Sequence, residues 1–334
     1  MRPRFWLIAW VAFATACGSR NPGLRLTTLD SSVQKPSNVA VYFTVDTDAG
    51  EPVAGLTAEQ FRIYEDGQLV STFESKQTIL NPEVAAEHFT LLLVDMSGSV
   101  SESGDVPAIV DAARAFSDRV GKYQRVAVYA FDGRPDIQRV SDFTARGASV
   151  EAGAARLDSF RTKDPSTNLN GAVIKGLEVL DRRLARADAP LRFGTLVIFT
   201  DGTDRAARVV RDDLMAAVDA TEHEIYVIGV GAEIDSGELG NIGRAGVILT
   251  KDRAEIANAF EQAAARIEAM SQRYYLLGYC SPARAGVHEV TIEAVHDGKS
   301  GSLSYEFDAA GFRPDCDPTK PPRFSLKRPK PRVD

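Results

Sequence analysis

Two rhythms of apolar residues divide the chain. Residues 24–87 read as short strands and turns. Residues 39–45 are dense in β-branched and aromatic side chains, Asp48-Ala49-Gly50-Glu51-Pro52 carries turn chemistry, and Phe61-Arg62-Ile63-Tyr64 alternates before the tight turn Glu65-Asp66-Gly67-Gln68. About 60 residues bury little surface on their own, so these strands need partners from elsewhere. Residues 273–316 offer them, with strand patterns at 273–279, 288–295 and 303–307 separated by Gly286 and by Asp297-Gly298. The two flanks are expected to form one β-sandwich, with the intervening segment inserted between them.

That segment, 88–272, has a different period. Residues 89–94 form an unbroken apolar run. Val106, Ile109, Val110, Ala113, Phe116 and Val120 then follow at spacings of three and four, the face of one helix, which Gly121 closes. Further buried strands are expected at 126–131, 195–199, 225–230 and 247–249, with helices at 170–187, 208–220 and 254–270. The last helix presents Ala257, Phe260, Ala264 and Ile267 on one side. Continuous apolar strands alternating with helices predict an α/β, doubly wound, mostly parallel sheet covered on both faces. Such sheets place their sites at the carboxyl ends of strands, near the point where strand order reverses.

Polar residues collect there. Asp95-Met96-Ser97-Gly98-Ser99 follows the first central strand, Ser166-Thr167-Asn168-Leu169-Asn170 precedes a helix, and Thr200-Asp201-Gly202-Thr203-Asp204 follows another buried strand. In an extended loop Asp95, Ser97 and Ser99 aim three oxygens to one side, and Gly98 permits close backbone approach. Hydroxyls and carboxylates without nitrogen or sulfur make a hard site, suited to magnesium and less to zinc. The alternative is that Ser97, Ser99 and Thr167 merely cap helices and satisfy loop amides, a role that would leave Asp95 and Asp201 unexplained. His88, His223, His288 and His296 have no zinc-ligand spacing and are expected on the surface or in strands.

Asp95-x-Ser97-x-Ser99 with Thr167 and Asp201 resembles the metal-ion-dependent adhesion site of the von Willebrand factor type A domain, over about residues 87–274. The resemblance implies that Ser97, Ser99 and Thr167 touch the ion while Asp95 and Asp201 act largely through water or hydrogen bonds. The implied cofactor is Mg2+ (or Mn2+/Ca2+), and the implied partner is a protein that supplies an acidic residue. The flanks, with Asp46, Gly50, Pro52, Val53, Gly55, Leu56 and later Tyr275-Leu276-Leu277-Gly278-Tyr279, are similar to a bacterial group in which such a domain sits inside sandwich-like strands.

The amino-terminal residues read as an export signal, which changes the setting. Arg2 and Arg4 precede a 12-residue apolar run, 5–16, where about 20 residues are needed to span a bilayer. Its end, Ala14-Thr15-Ala16-Cys17-Gly18-Ser19, resembles the lipobox of bacterial lipoproteins, which implies acylation at Cys17 within a 1–17 signal segment. Cleavage after Ala16 by an ordinary signal peptidase is the alternative. Gly18 in place of Asp implies the outer membrane. Using Cys17 for lipid leaves Cys280 and Cys316 as an even pair in an oxidising compartment, expected as a disulfide, with two unpaired thiols as the other reading.

Composition narrows the function further. The chain is at net −7, but residues 317–334 carry +4 and the remainder −11. That balance argues against dedicated nucleic-acid binding. The proline-rich basic tail, 317–334, is expected to be extended, either touching anionic envelope polymers or lipid headgroups or merely solubilising its end. Position 97 is Ser rather than the second Asp of a phosphoryl-transfer Asp-x-Asp, Met96-Ser97-Gly98 is no nucleophile elbow, and no glycine-rich phosphate loop with its Lys occurs. The expectation is therefore a non-enzymatic, lipid-anchored envelope protein for adhesion or assembly. The alternative is an envelope scaffold working through its sandwich or tail, with a hydrolase behind both.

Overall fold

The computed structural model describes residues 23–80, 86–145, 155–187, 191–231, 236–314 and 316–320. The signal segment with Cys17 and most of the basic tail lie outside the described residues. The amino-terminal flank contributes β1 (Leu24–Gln34), β2 (Asn38–Thr47), β3 (Phe61–Glu65), β4 (Gln68–Leu69) and β5 (Thr78–Leu80). The centre follows with β6 (Ala86–Asp95), α1 (Gly98–Glu102), α2 (Val106–Val120), β7 (Arg125–Phe131), β8 (Gln138–Ser141), α3 (Leu169–Leu184), β9 (Leu191–Thr200), α4 (Arg211–Ala220), β10 (Glu224–Val230), α5 (Ser236–Ile242), β11 (Gly246–Thr250) and α6 (Ile256–Gln272). β12 (Tyr274–Cys280), β13 (Val287–His296) and β14 (Lys299–Asp308) complete the chain.

The central sheet has the order β11-β10-β9-β6-β7-β8, parallel except for β8, which runs antiparallel to β7 at one edge. Its strands read as unbroken apolar runs because each face meets a different core. On β6, Leu92 and Val94 point into a core closed by α2 and α6, whereas Phe89, Leu91 and Leu93 point into one closed by α3, α4 and α5. The apolar faces of α2 (Ile109, Val110, Ala113, Phe116, Val120) and α6 (Ile256, Ala259, Phe260, Ala263, Ala264, Ile267) meet in the first of these. Ala257, expected on the buried side of α6, is exposed; Ala259 and Ala263 take its place. His223 is likewise neither a surface nor a strand residue: it is buried in a bend before β10, with Nε2 paired to Asp181 at 2.9 Å.

The flanks share two sheets. β12 inserts between β2 and β5 in the order β1-β2-β12-β5, and β13 pairs with both β14 and β3 in the order β14-β13-β3-β4. Their facing sides bury one core of Val41, Phe43, Phe61, Ile63, Tyr275, Leu277, Val290 and Ile292 with their neighbours. Asp66 and Gly67 both have positive φ, as does the Asp297-Gly298 pair, matching the tight hairpin turns expected there. The opposite face of β2 and β12 packs Tyr42, Tyr274 and Leu276 against Ala86 and Phe193, at the start of β6 and in β9, which joins sandwich to central sheet.

Cys280 and Cys316 form a disulfide with Cα atoms 5.7 Å apart. Residues 317–320, expected to begin an extended, unpacked tail, are docked instead. Asn38 Nδ2 donates to the Asp317 and Lys320 carbonyls at 2.8 and 3.2 Å, and Pro318 is buried. The reason is the disulfide, which holds this segment against the β1–β2 hairpin.

Candidate metal centre

The strand order reverses between β6 and β9: the chain leaves β6 towards β7 on one side and returns to β9 on the other. Asp95 ends β6, and Thr200 ends β9 with Asp201 directly after it. Two of the three polar loops therefore open from the crevice that this topology provides.

The Asp95 loop turns helical sooner than an extended reading allows. Ser97 is extended (φ −62°, ψ 176°) and precedes α1, which starts at Gly98, without a capping hydrogen bond from its side chain. Ser97 and Ser99 converge because one precedes the helix and the other lies in its first turn, with their Oγ atoms 3.2 Å apart. Ser99 Oγ donates to Asp201 Oδ1 at 2.8 Å, which joins the β6 and β9 loops. Asp95 is fully buried and accepts from the Ser97 amide at 2.9 Å and from Thr200 Oγ1 at 2.8 Å.

Thr167 lies on a loop fixed from both sides. The Gly98 amide donates to the Pro165 carbonyl at 2.9 Å, and the amides of Arg205 and Ala206 donate to the Thr167 carbonyl, each at 2.9 Å. Asp132, fully buried at the end of β7, accepts from the Lys163 amide at 3.0 Å and pairs with Arg134, which anchors the start of this loop. Asp204 accepts from the Asn170 amide at 3.0 Å, which holds the first turn of α3 to the Asp201 loop. Thr167 is itself buried.

The electrostatics identify what the donors lack. Burial pushes the Asp95 carboxyl up to about 6 against its hydrogen bonds from Ser97 and Thr200, all of them from neutral donors. Burial also raises Asp201, against the Ser99 hydrogen bond and the charges of Arg253 and Arg205. Arg253 Nη2 lies 3.7 Å from Asp201 Oδ2. Among the described residues no group of three or more His, Cys, Asp or Glu side chains is placed to hold a metal. The donors at the crevice are instead hydroxyls with two carboxylates, a set that fits a hard divalent cation, and a buried carboxylate held by neutral donors alone is the partner such a cation completes.

Of the residues singled out in sequence, Asp95, Ser97, Ser99 and Asp201 are linked through direct contacts, and the loop of Thr167 is hydrogen-bonded through its backbone to Gly98, Arg205 and Ala206. Thr200, Asp132, Asp204 and Arg253 were not singled out. Thr200 and Asp204 stood beside Asp201 in the same polar cluster, whereas Asp132 and Arg253 give no local signal.

Residues 90–203 match the family model of the von Willebrand factor type A domain. The match places that domain at the centre of the chain; it spans about a third of the sequence, and the sandwich strands lie outside it. No curated protein matches the chain in sequence. Among solved structures the chain is similar to a von Willebrand factor type A protein from Catenulispora acidiphila, at 15% identity, TM-score 0.46, covering 90% of this chain and 76% of that one. It is also similar to the manganese-loaded TRAP protein of Plasmodium vivax, at 12% identity, TM-score 0.46, covering 70% and 97%. A third similarity is to proximal thread matrix protein 1 of the mussel byssus with a zinc-occupied adhesion motif, at 18% identity, TM-score 0.41, covering 62% and 49%.

Proposed function

We propose that the chain is a metal-dependent protein-binding protein of the bacterial envelope, serving adhesion or assembly rather than catalysis. The observation that carries this reading is the contact chain Ser97–Ser99–Asp201 beside the fully buried Asp95, where oxygens from two strand-end loops meet within 3.2 Å. A divalent ion bound there supplies an open coordination position for a carboxylate from another protein. Ser97, Ser99 and Thr167 would hold it through neutral hydroxyls, and Asp95 and Asp201 would orient those hydroxyls or the water between. First-contact groups without charge leave the cation poorly compensated, which favours an acidic partner residue. Mg2+ is the expected ion, with Mn2+ or Ca2+ able to substitute.

The test is the thermal stability of the exported protein with magnesium against chelator. Wild type should gain several degrees in millimolar magnesium by mass action, and Asp95→Ala should not. Ser99→Ala, which removes a less buried group, guards against a folding defect in the first variant. Equal melting temperatures with and without metal would overturn the reading. Envelope proteins captured by the wild type in magnesium, and released by chelator, would then identify the acidic partner.

The anchor belongs to the same proposal. With Cys17 acylated, extraction should need detergent, and Cys17→Ser should release the protein or leave its precursor uncut, because 12 apolar residues do not span a bilayer. Aqueous extraction of the wild type would defeat it. Outer-membrane residence, suggested by Gly18, is checked by fractionating the two membranes.

A further inference from the structure

We propose that Arg253 is a cation built into the chain that competes with the divalent ion for Asp201, and so sets how tightly the centre holds metal. The proposal rests on the metal-binding reading above. Arg253 opens a short helical turn, Arg253–Glu255, between β11 and α6. The turn is fixed from behind, since the Asp252 carboxylate accepts from the Ala254 amide at 2.9 Å. From there the guanidinium spans two carboxylates that belong to other elements. Nη1 donates to Asp105, the residue preceding α2, and Nη2 lies 3.7 Å from Asp201 Oδ2. The other oxygen of Asp201 is the one that takes the Ser99 hydroxyl.

The burial of the two groups is unequal. The Arg253 side chain is 44% exposed, whereas that of Asp201 is 7% exposed. A guanidinium buried in packing would be structural. One that is partly exposed and lies 3.7 Å from a largely buried carboxylate instead sets a mobile positive charge beside the group an ion would share. A divalent ion and a guanidinium sharing one carboxylate repel each other. Metal loading therefore has to displace Arg253 or tolerate it, and either course weakens binding. Asp105 tempers the effect by drawing part of the guanidinium charge to itself, and Arg253 in turn holds the Asp105 carboxyl below its usual range. Removing each partner should consequently move metal affinity in opposite directions.

The experiment is calorimetric titration of the full-length protein with magnesium chloride and with manganese chloride, in wild type, Arg253→Gln, Arg253→Lys and Asp105→Asn, with thermal melts in chelator alongside. Arg253→Gln should tighten both ions by about three- to tenfold, the size a screened unit charge a few ångströms away supports. Asp105→Asn, which leaves the guanidinium without its counter-charge, should weaken them by a similar factor. Arg253→Lys keeps the charge but loses the fork that reaches two carboxylates at once, and should fall between wild type and Arg253→Gln. In chelator Arg253→Gln should melt below wild type, because Asp105 and Asp201 lose the Arg253 charge, yet it should gain more from magnesium. A purely structural Arg253 would lower the melting temperature and leave the metal affinity unchanged, which would overturn the proposal. Should Arg253→Gln fail to fold, the opposite shifts expected of Arg253→Lys and Asp105→Asn decide, and shifts in a common direction overturn it. Wild type that binds metal while Arg253→Gln binds no tighter defeats this proposal alone. Absence of binding in every variant defeats the metal reading together with it.

Discussion

Thr200 Oγ1 donates to Asp95 Oδ2 at 2.8 Å, so the carboxyl ends of β9 and β6 are tied together inside the crevice where the sheet reverses its order. The same hydroxyl accepts from the Gly202 amide at 3.2 Å, which carries the link onward to the Asp201 loop. One fully buried side chain thus positions both carboxylates of the centre.

Thr200→Val keeps the shape and removes the donor. It leaves a fully buried carboxylate with one hydrogen bond fewer, and should cost about 1–3 kcal/mol in a urea denaturation series. Thr200→Ser should recover most of that. A valine variant as stable as wild type would mean that the Asp95 carboxyl is solvated by some other route.

The raised Asp95 carboxyl makes a pH prediction whose sign is fixed. Its folded value of about 6 lies above the ordinary 3.8, so between those values the folded state binds more protons than the unfolded one. Metal-free stability contributed by this group therefore rises as pH falls from 7 towards 4, by roughly 3 kcal/mol at most. Asp105, Asp132 and Asp164, all lowered, work in the opposite direction, so the effect is read as the difference between wild type and Asp95→Asn in chelator. That difference should favour Asp95→Asn at pH 7 and vanish near pH 4. Magnesium affinity of the wild type should fall as pH drops below about 6, since the ion competes with the proton. A difference independent of pH would show that Asp95 titrates normally.

Gly98 is where two of the loops touch. A Cβ at this position would lie 2.9 Å from Pro165 Cβ and 3.0 Å from the Pro165 carbonyl oxygen, across the backbone bond between the two residues. Gly98→Ala should push the Thr167 loop away from Ser97 and Ser99. The expected result is a loss of about 1–3 kcal/mol in stability and weaker magnesium binding. Gly202→Ala is the control: nothing lies within 4 Å of a Cβ built there, so stability and affinity should change little. If the two alanines behave alike, the close approach at Gly98 does not shape the centre.

How much of this was legible in the sequence depends on whether a feature is made by neighbours along the chain. The run at 89–94 announced a strand buried on both faces, because alternate side chains enter two different cores. β1 gave no such signal: polar Thr27, Thr28, Asp30, Ser31 and Ser32 interrupt it, and its pairing with β2 shifts register between Thr28 and Asp30. β8, Gln138–Ser141, is four residues at a sheet edge, too short to show a period. At the candidate site, Asp95 and Asp201 stood out because each follows an apolar strand. Arg253 did not, because its partner Asp105 is 148 residues away and only the packing of α6 beside α2 brings them together. Asp132 was silent for the same reason, since what it holds is backbone from a distant loop; Asp204 stood in the polar cluster after β9, but the Asn170 amide it holds lies 34 residues away.

The Cys280–Cys316 bridge makes a prediction about how the two halves of the molecule depend on each other. It joins cysteines 36 positions apart across a stretch that contains β13 and β14, and the Lys76 ammonium donates to the Cys316 carbonyl at 3.1 Å on the sandwich side. Closing a loop of that length should stabilise by about 4 kcal/mol on the chain-entropy account. The core that benefits is that of the sandwich, and it shares no residue with the two cores flanking the central sheet; contact between them runs through the small cluster of Ala40, Tyr42, Ala86, Tyr274 and Leu276. Cys280→Ser combined with Cys316→Ser should therefore lower hydrogen-exchange protection in β12, β13 and β14, and free residues 317–320 from Asn38. Protection of β6, β7 and β9 should persist, and magnesium affinity should stay within about twofold of wild type, because a local opening of the sandwich leaves the strand-end loops in place. Loss of metal binding in this variant would mean that the Tyr42–Tyr274 cluster transmits disorder into the central sheet, and that the sandwich is part of what holds Asp95 and Asp201 in register.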